Sequence, residues 1–504
     1  MPPRFLIQKK PMKKNSYNLT FEEFEKLTLK GNLIPVYREI LADLESPVSA
    51  FMKIGTHPYS YLLESVEGGE KWARYSFLGT QPSLIFQAKG KKVEIREGRD
   101  KKVFESDKPL EEVKKIMAGF RPVPIEGLPR FYGGLVGYLS YDAIRDFEKI
   151  PDKNPDDLKL PDYFFMLTDT LLIFDNLKHS IKIVSNAFVS GDNEKAYQKA
   201  IGKIESVEKF LKRPLPSKTK QKIKKPKENL TSNFTSKQFE DIVIRAKENI
   251  YQGEAIQIVL SQRLKEAAPP PALDIYRALR RINPSPYMYY LNGEDFQVIG
   301  SSPEILIRKE GDKVELRPIA GTRRRGKDKE EDEKLERELL SDPKEKAEHI
   351  MLVDLGRNDV GRVSRYGTVK VPELMVIEKY SHVMHIVSHV QGKLDPAKDE
   401  FDVLKASFPA GTVSGAPKIR AMEIIDELEK VKRGPYAGAL GYFSFSHNMD
   451  MAIIIRTIII KNNSAYIQVG AGIVADSIPQ REHQETMNKA RAMIEAIELA
   501  REGF

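Results

Sequence analysis

Short apolar runs, interrupted at Gly, Pro, Asp and Asn, dominate residues 50 to 190: "YSYLLESVE", "YSFLG", "KKVEIRE", "YFFMLTDTLLIFDN" and "SIKIVSNAF". Runs of this length, rich in Val, Ile, Tyr and Phe, predict strands, and the short turns between them predict mostly antiparallel pairing. The period then changes, and Asn193 to Lys212 predicts a helix that closes this first half. "TSKQ" opens another helix, with Thr235 and Gln238 in capping-box positions, so the second half begins near Thr235.

Two hairpins of the second half can be registered from sequence. In "SSPEILIRKEGDKVELRPIAGT" a turn centred on Gly311 makes facing residue numbers sum to about 622, which sets Glu304 opposite Pro318 and beside "IAGT". Further on, "YAGALGYFSF", "MAIIIRTIII" and "AYIQVGAGIV" predict a three-stranded meander. Its second turn falls at Asn462 and Asn463, so pairs sum to about 925 and Arg456 faces Val469, next to Gly470. A guanidinium in an otherwise apolar central strand is costly unless an anion meets it. That anion is either an internal Asp or Glu or a ligand carboxylate, and Gly470 and Gly472 would let a ligand approach the neighbouring backbone.

Two helices present carboxylates. Asp342, Pro343 and Glu345 mark one N-terminus, with Glu348 a turn later, and a last helix from Pro479 to Arg501 sets Glu482, Glu485 and Lys489 on one face. His382, His385 and His389 have metal-like spacing, but "YSHVMHIVSHVQ" is rich in β-branched residues and reads as a strand, on which His382 points away from the other two. "GAGIVA" and "GTVSGAPK" match nucleotide-binding fingerprints by letter only, since neither has the strand, helix and spacing such loops need. No internal repeat is evident.

A length of 504 residues predicts two domains or one large fold of interlocked halves, and 41% apolar with 30% charged residues is ordinary globular composition. The net charge of +9 is concentrated in "KRPLPSKTKQKIKKPK", residues 212 to 227, whose eight basic residues leave +1 for the rest. With three prolines and few apolar residues this stretch reads as a solvated linker, against the alternative of a nucleic-acid arm. The expected division is therefore 1–211, a linker over 212–234, and 235–504. The apolar run "MAIIIRTIII" is too short to span a bilayer and is interrupted by Arg456, and "MPPRFLIQKK" is no signal peptide, so a cytoplasmic protein without membrane or nucleic-acid partners is expected. Zero cysteines exclude disulfides, thiolate metal sites and a cysteine nucleophile.

The second half resembles the chorismate-utilising enzymes, most closely the family of anthranilate synthase component I chains. The resemblance rests on "EAIQIVLSQR", "GSSPEILI", "RPIAGTRRRG", "EHIMLVDLGRNDVGRV", "HVMHIVSHVQG", "FPAGTVSGAPK", "GPYAGALGY", "IIIRTIII" and "VGAGIVADSIPQREHQET", in that order. "YLLESVEGGEKWARYSFLG" in the first half is similar to the family's tryptophan-binding segment. The family implies an α+β fold, a large antiparallel β-sandwich flanked by helices.

It also implies a substrate, chorismate, and Mg²⁺ as cofactor. By family position Glu348 and Glu485 are the metal ligands, an oxygen set that suits Mg²⁺. Arg456, Tyr436 and the backbone of Gly470, Ala471 and Gly472 would clamp the enolpyruvyl carboxylate, with Gly321, Thr322 and Thr412 on the ring side. Glu304 is similar to the general acid for loss of the ring hydroxyl, and His385 to the group assisting proton removal as pyruvate leaves. Arg323 to Arg325 read as rim residues.

Water-adding relatives place a lysine where Gln257 stands, and aminodeoxychorismate synthases often carry one where Ala320 stands. With both uncharged here, addition of ammonia to give anthranilate, the first committed step of tryptophan biosynthesis, is expected ahead of aminodeoxychorismate or aminodeoxyisochorismate synthesis. Without a cysteine the chain is no glutaminase, so a separate glutamine amidotransferase subunit, hence a hetero-oligomer, is implied. Glu64, Ser65, Pro286, Tyr287 and Met288 are similar to the tryptophan contacts of feedback inhibition.

Overall fold

The computed structural model describes residues 17–55, 57–66, 74–216, 230–380 and 383–503. Two antiparallel sheets of twelve strands each form the described fold, and each takes strands from both halves of the sequence. In one sheet Ser60–Glu64 pairs with Tyr287–Asn292, and in the other Gly134–Leu139 pairs with Ala439–Ser444. The halves thus share both sheets. Aromatic residues such as Phe77, Phe131, Phe164 and Tyr442 fill the core cluster between them. Helices Asn193–Leu211, Ala272–Ile282 and Pro479–Glu502 cover the first sheet, while Pro343–Gly361 and Glu400–Ser407 lie against the second.

Local sequence signals account for the element ends. Thr235 caps Ser236–Tyr251 with the reciprocal Gln238 bond, and Asp342 accepts from the amides of Lys344 and Glu345 to start Pro343–Gly361. Thr231 and Ser232, at the end of the expected linker, pair with Lys265 and Leu264, while most of the basic stretch lies outside the described residues. Among the described residues no helix is long and apolar enough to cross a membrane.

Two expectations of register change. The turn after Ile305–Glu310 uses both Gly311 and Asp312, so pairs such as Arg308 with Glu315 sum to 623 rather than 622. Pairing stops there, because Ile319–Arg324 leaves to join Val383–Lys393, and Glu304 therefore has no strand partner at Pro318. The 925 register holds for Ile458 with Ile467, set by positive φ at Asn462 and Asn463. Arg456, however, does not lie in that hairpin. "MAIIIRTIII" is two strands, Met449–Ile453 in one sheet and Thr457–Lys461 in the other, and Val469 pairs with Gln262 instead. Arg456 sits at the crossing with φ +50, a left-handed conformation unusual for a non-glycine residue.

A second crossing lies beside it. Phe296–Ser302 belongs to the first sheet and Ile305–Glu310 to the second, so Glu304 occupies the passage between them. The crossings are bonded to each other: Ile453 N donates to the Glu304 carbonyl at 3.0 Å and Ser301 N to the Arg456 carbonyl at 3.2 Å. The topology itself brings these two residues together.

Candidate active site

The seam between the sheets gathers the residues expected to carry chemistry. Glu304 is buried, and that burial pushes its carboxyl up to about 8, with Thr412 and then Arg456 offsetting part of the rise. It is a proton donor at neutral pH. The Thr412 hydroxyl faces it closely enough to lower its pKa, without a hydrogen bond of good geometry at Oγ1 within the described protein. Both residues line a small cavity of about 40 Å³.

Burial lowers the Arg456 guanidinium from its ordinary value, with Glu304 partly restoring it. Its Nη1 donates to Asn283 Oδ1 at 3.3 Å, and among the described residues no carboxylate forms an ion pair with it. Of the two anions open to Arg456 on sequence grounds, an internal acid is not found. Burial favours the neutral form of the nearby Glu304, so Glu304 does little to neutralise the guanidinium.

His385 is held from one side. Its Nδ1 lies 3.1 Å from the Gly321 carbonyl and 3.0 Å from Thr322 Oγ1. Gly321, at φ +66, is the bulge residue between Ala320, opposite Ile386, and Thr322, opposite His385, and the bulge turns its carbonyl to the imidazole. A proton on Nδ1 donating to that carbonyl leaves Nε2 with a free lone pair. Burial lowers the pKa of His385, with Arg456 adding to the effect, so the ring is neutral. His389 is taken by Glu315 at 2.9 Å, and His382 lies outside the described residues.

A few residues away the carboxylates collect. Burial raises the Glu348 pKa, with Glu345 and Glu485 adding repulsion, and burial followed by Glu485 raises Glu482. Lys489 bonds Glu485 at 2.7 Å and the Gly470 carbonyl at 3.0 Å. Gln257 Nε2 donates to Glu348 at 3.2 Å while its buried Oε1 has no partner. Mutually repelling carboxylates beside an unsatisfied amide oxygen form an oxygen-rich set that fits a hard divalent cation. Among the described residues no group of three or more His, Asp or Glu side chains is placed to hold a metal ion.

Gly470 and Gly472 keep one face of their strand open. A Cβ on Gly470 would lie 2.5 Å from the Tyr436 hydroxyl and one on Gly472 2.6 Å from Gln257 Nε2, so the glycines admit these two side chains to the strand face. Burial raises Tyr436 to about 12, which keeps its hydroxyl a donor. Ala471 points the other way, into a separate core with Ile258 and Leu260.

The arginines of "RPIAGTRRRG" are clips. Arg323 bonds Asp342 and Glu345, both at 2.9 Å, Arg324 pairs with Glu331, and Arg325 with Asp332 at 2.7 Å. They tie the bulged strand to the two acidic helices, a correction to their reading as rim residues. Glu345 and Glu482, read from sequence as a helix-start residue and a face neighbour of Glu485, lie three residues before Glu348 and Glu485 and join the carboxylate cluster, since that spacing places each pair on one helix face.

Glu64, Ser65, Pro286, Tyr287 and Met288 line a different cavity, of about 440 Å³, between strands of the two halves. Met288 is the cross-strand partner of Glu64. Arg280 lies 3.3 Å from the buried Glu64, and Tyr287 and Arg308 both bond Asp450 at 2.9 Å on the cavity wall.

A fold of two shared sheets, with an acid, an unpaired arginine and an oxygen-rich cluster at the seam, defines an enzyme for anionic substrates. Residues 60–495 match the family described as chorismate binding enzyme, and the chain belongs to that family. It is 51% identical over 487 residues to anthranilate synthase component 1 of Aquifex aeolicus, covering 96% of this chain and 99% of that protein. The component 1 of Acetivibrio thermocellus is 51% identical over 488 residues, with the same coverage of 96% and 99%. The crystal structure of anthranilate synthase component I from Streptococcus pneumoniae TIGR4 superposes with a TM-score of 0.77 at 38% identity, covering 90% of this chain and 98% of that one.

Proposed function

We propose that the chain converts chorismate and ammonia into anthranilate and pyruvate, as the chorismate-binding large component of an anthranilate synthase. The observation that carries this reading is the pair at the strand crossing: a glutamate kept protonated beside a buried arginine with no anion of its own. Arg456 and the Tyr436 hydroxyl receive the enolpyruvyl carboxylate. The Glu304 carboxyl gives its proton to the ring hydroxyl, which leaves as water while ammonia adds next to the ring carboxylate. The Nε2 lone pair of His385 assists removal of the ring proton as pyruvate departs. Glu348 and Glu485 would hold Mg²⁺, which when bound neutralises the ring carboxylate and polarises the ring. Gln257, uncharged, offers no base to activate water, which favours the amine over the alcohol.

Ammonia is supplied by a second component. The relatives' name, component 1, is that of one member of an assembly, and this chain lacks the cysteine a glutaminase uses. Tryptophan in the 440 Å³ cavity inhibits the reaction, a reading supported by all five expected contacts lining one space. The test is donor dependence. The purified chain should turn over with ammonium salt and be silent with glutamine, and a glutamine amidotransferase component should restore glutamine use. Glutamine-dependent turnover by the chain alone would refute the division of labour.

A further inference from the structure

Beneath the carboxylate end of the site lies an ion pair that the chemistry above does not use. Arg433 is 2% exposed and Glu429 6%. Arg433 Nη2 donates to Glu429 Oε1 at 2.6 Å and Nε to Oε2 at 3.0 Å, a two-pronged pair. Replacing such buried pairs by apolar residues often leaves a protein as stable as before, so stability alone does not explain this one.

What the pair holds is specific. Arg433 Nη2 also donates to the Val259 carbonyl at 2.6 Å, and Glu429 Oε1 accepts from both N and Oγ of Ser261 at 2.8 Å. In strand Gln257–Ala267, Val259 is the partner of Gly472 and Ser261 the partner of Gly470. The two backbone positions opposite the two site glycines are therefore both fixed by this pair. Arg433 Nη1 donates at 2.8 Å to the carbonyl of Val413, the residue after Thr412. Its guanidinium lies 5.5 Å from the ring centre of Tyr436, whose hydroxyl occupies the space beside Gly470.

We infer that Arg433 and Glu429 are positioning residues for substrate binding, a buried fork that sets the glycine strand, Tyr436 and the Thr412 turn at the spacing the enolpyruvyl carboxylate requires. This rests on the reading of that subsite given above. Neither residue touches substrate, and both act through what they hold.

The test compares Arg433→Lys and Glu429→Gln with Arg501→Met, which breaks another buried pair, Arg501 with Glu266 at 2.7 Å near the end of the last helix. KM does not depend on how much enzyme is folded, so it separates misplacement from loss of stability. Misplacement of site groups by up to an ångström costs between about tenfold and a hundredfold, and KM for chorismate should rise by that much in the first two variants, with kcat falling less. Arg501→Met should show a normal KM at a comparable loss of thermal midpoint. Normal KM in the folded remainder of both fork variants, or an equal rise in Arg501→Met, overturns the inference. A wild-type chain that makes no anthranilate would instead refute the function itself.

Discussion

Replacing Glu304 by glutamine should stabilise the chain while abolishing its chemistry. Burial raises this carboxyl from 4.5 to about 8. Between those values the unfolded chain has released the proton and the folded chain still holds it, so stability falls as pH rises from the lower value and levels off above the upper. At about 1.4 kcal/mol per pH unit, the cost is about 3 kcal/mol at about pH 7 and about 5 kcal/mol at about pH 8. Glutamine has nearly the same shape and no proton to lose, so it carries none of this cost. For 504 residues, an unfolding entropy of roughly 2.1 cal/mol/K per residue converts 3 kcal/mol into a rise of about 3 °C in thermal midpoint. Melts of both proteins across the range from acid to mildly alkaline buffer would show a gap near zero at the acid end that widens toward about pH 8. A gap independent of pH, or none at the alkaline end, would refute a carboxyl held neutral by burial.

Three further outcomes follow from the site. Arg456→Met should raise KM for chorismate by about a hundredfold, the worth of a charge-assisted carboxylate contact of roughly 3 kcal/mol, and an unchanged KM removes Arg456 from the clamp. Glu348→Gln should weaken Mg²⁺ binding measured by calorimetry while leaving tryptophan binding intact; equal Mg²⁺ affinity would dismiss Glu348 as a ligand. Ser65→Ala should relieve tryptophan inhibition without altering uninhibited turnover, and retained inhibition would move the regulatory site away from the 440 Å³ cavity.

Much of this architecture is legible in the chain because local rules decide it. The Asn462–Asn463 turn fixes its hairpin since both residues take positive φ, and Thr235 with Gln238 announces a helix start. The crossings are not legible. "MAIIIRTIII" stays apolar on both sides of Arg456 because each piece is buried in its own sheet, so no change of pattern marks the passage, and only the arginine itself signals it. "YFFMLTDTLLIFDN" splits the same way at Asp169, into Tyr163–Thr168 in one sheet and Thr170–Asp175 in the other. Long-range pairing hid the roles of the arginine run, since Asp342 and Glu345 reach Arg323 only after the intervening helix Lys329–Ser341 folds back. Arg433 and Glu429 are four residues apart just past the end of a helix, with nothing in the sequence to mark them, and only their burial reveals the fork.

The central claim is that this site aminates chorismate and completes the reaction to an aromatic product. Incubating the purified chain with chorismate, Mg²⁺ and an ammonium salt, and following anthranilate fluorescence together with pyruvate, tests it directly. The account predicts anthranilate and pyruvate in equal amounts. A non-aromatic amino product without pyruvate, or a hydroxylated product formed whether or not ammonium is present, would contradict it.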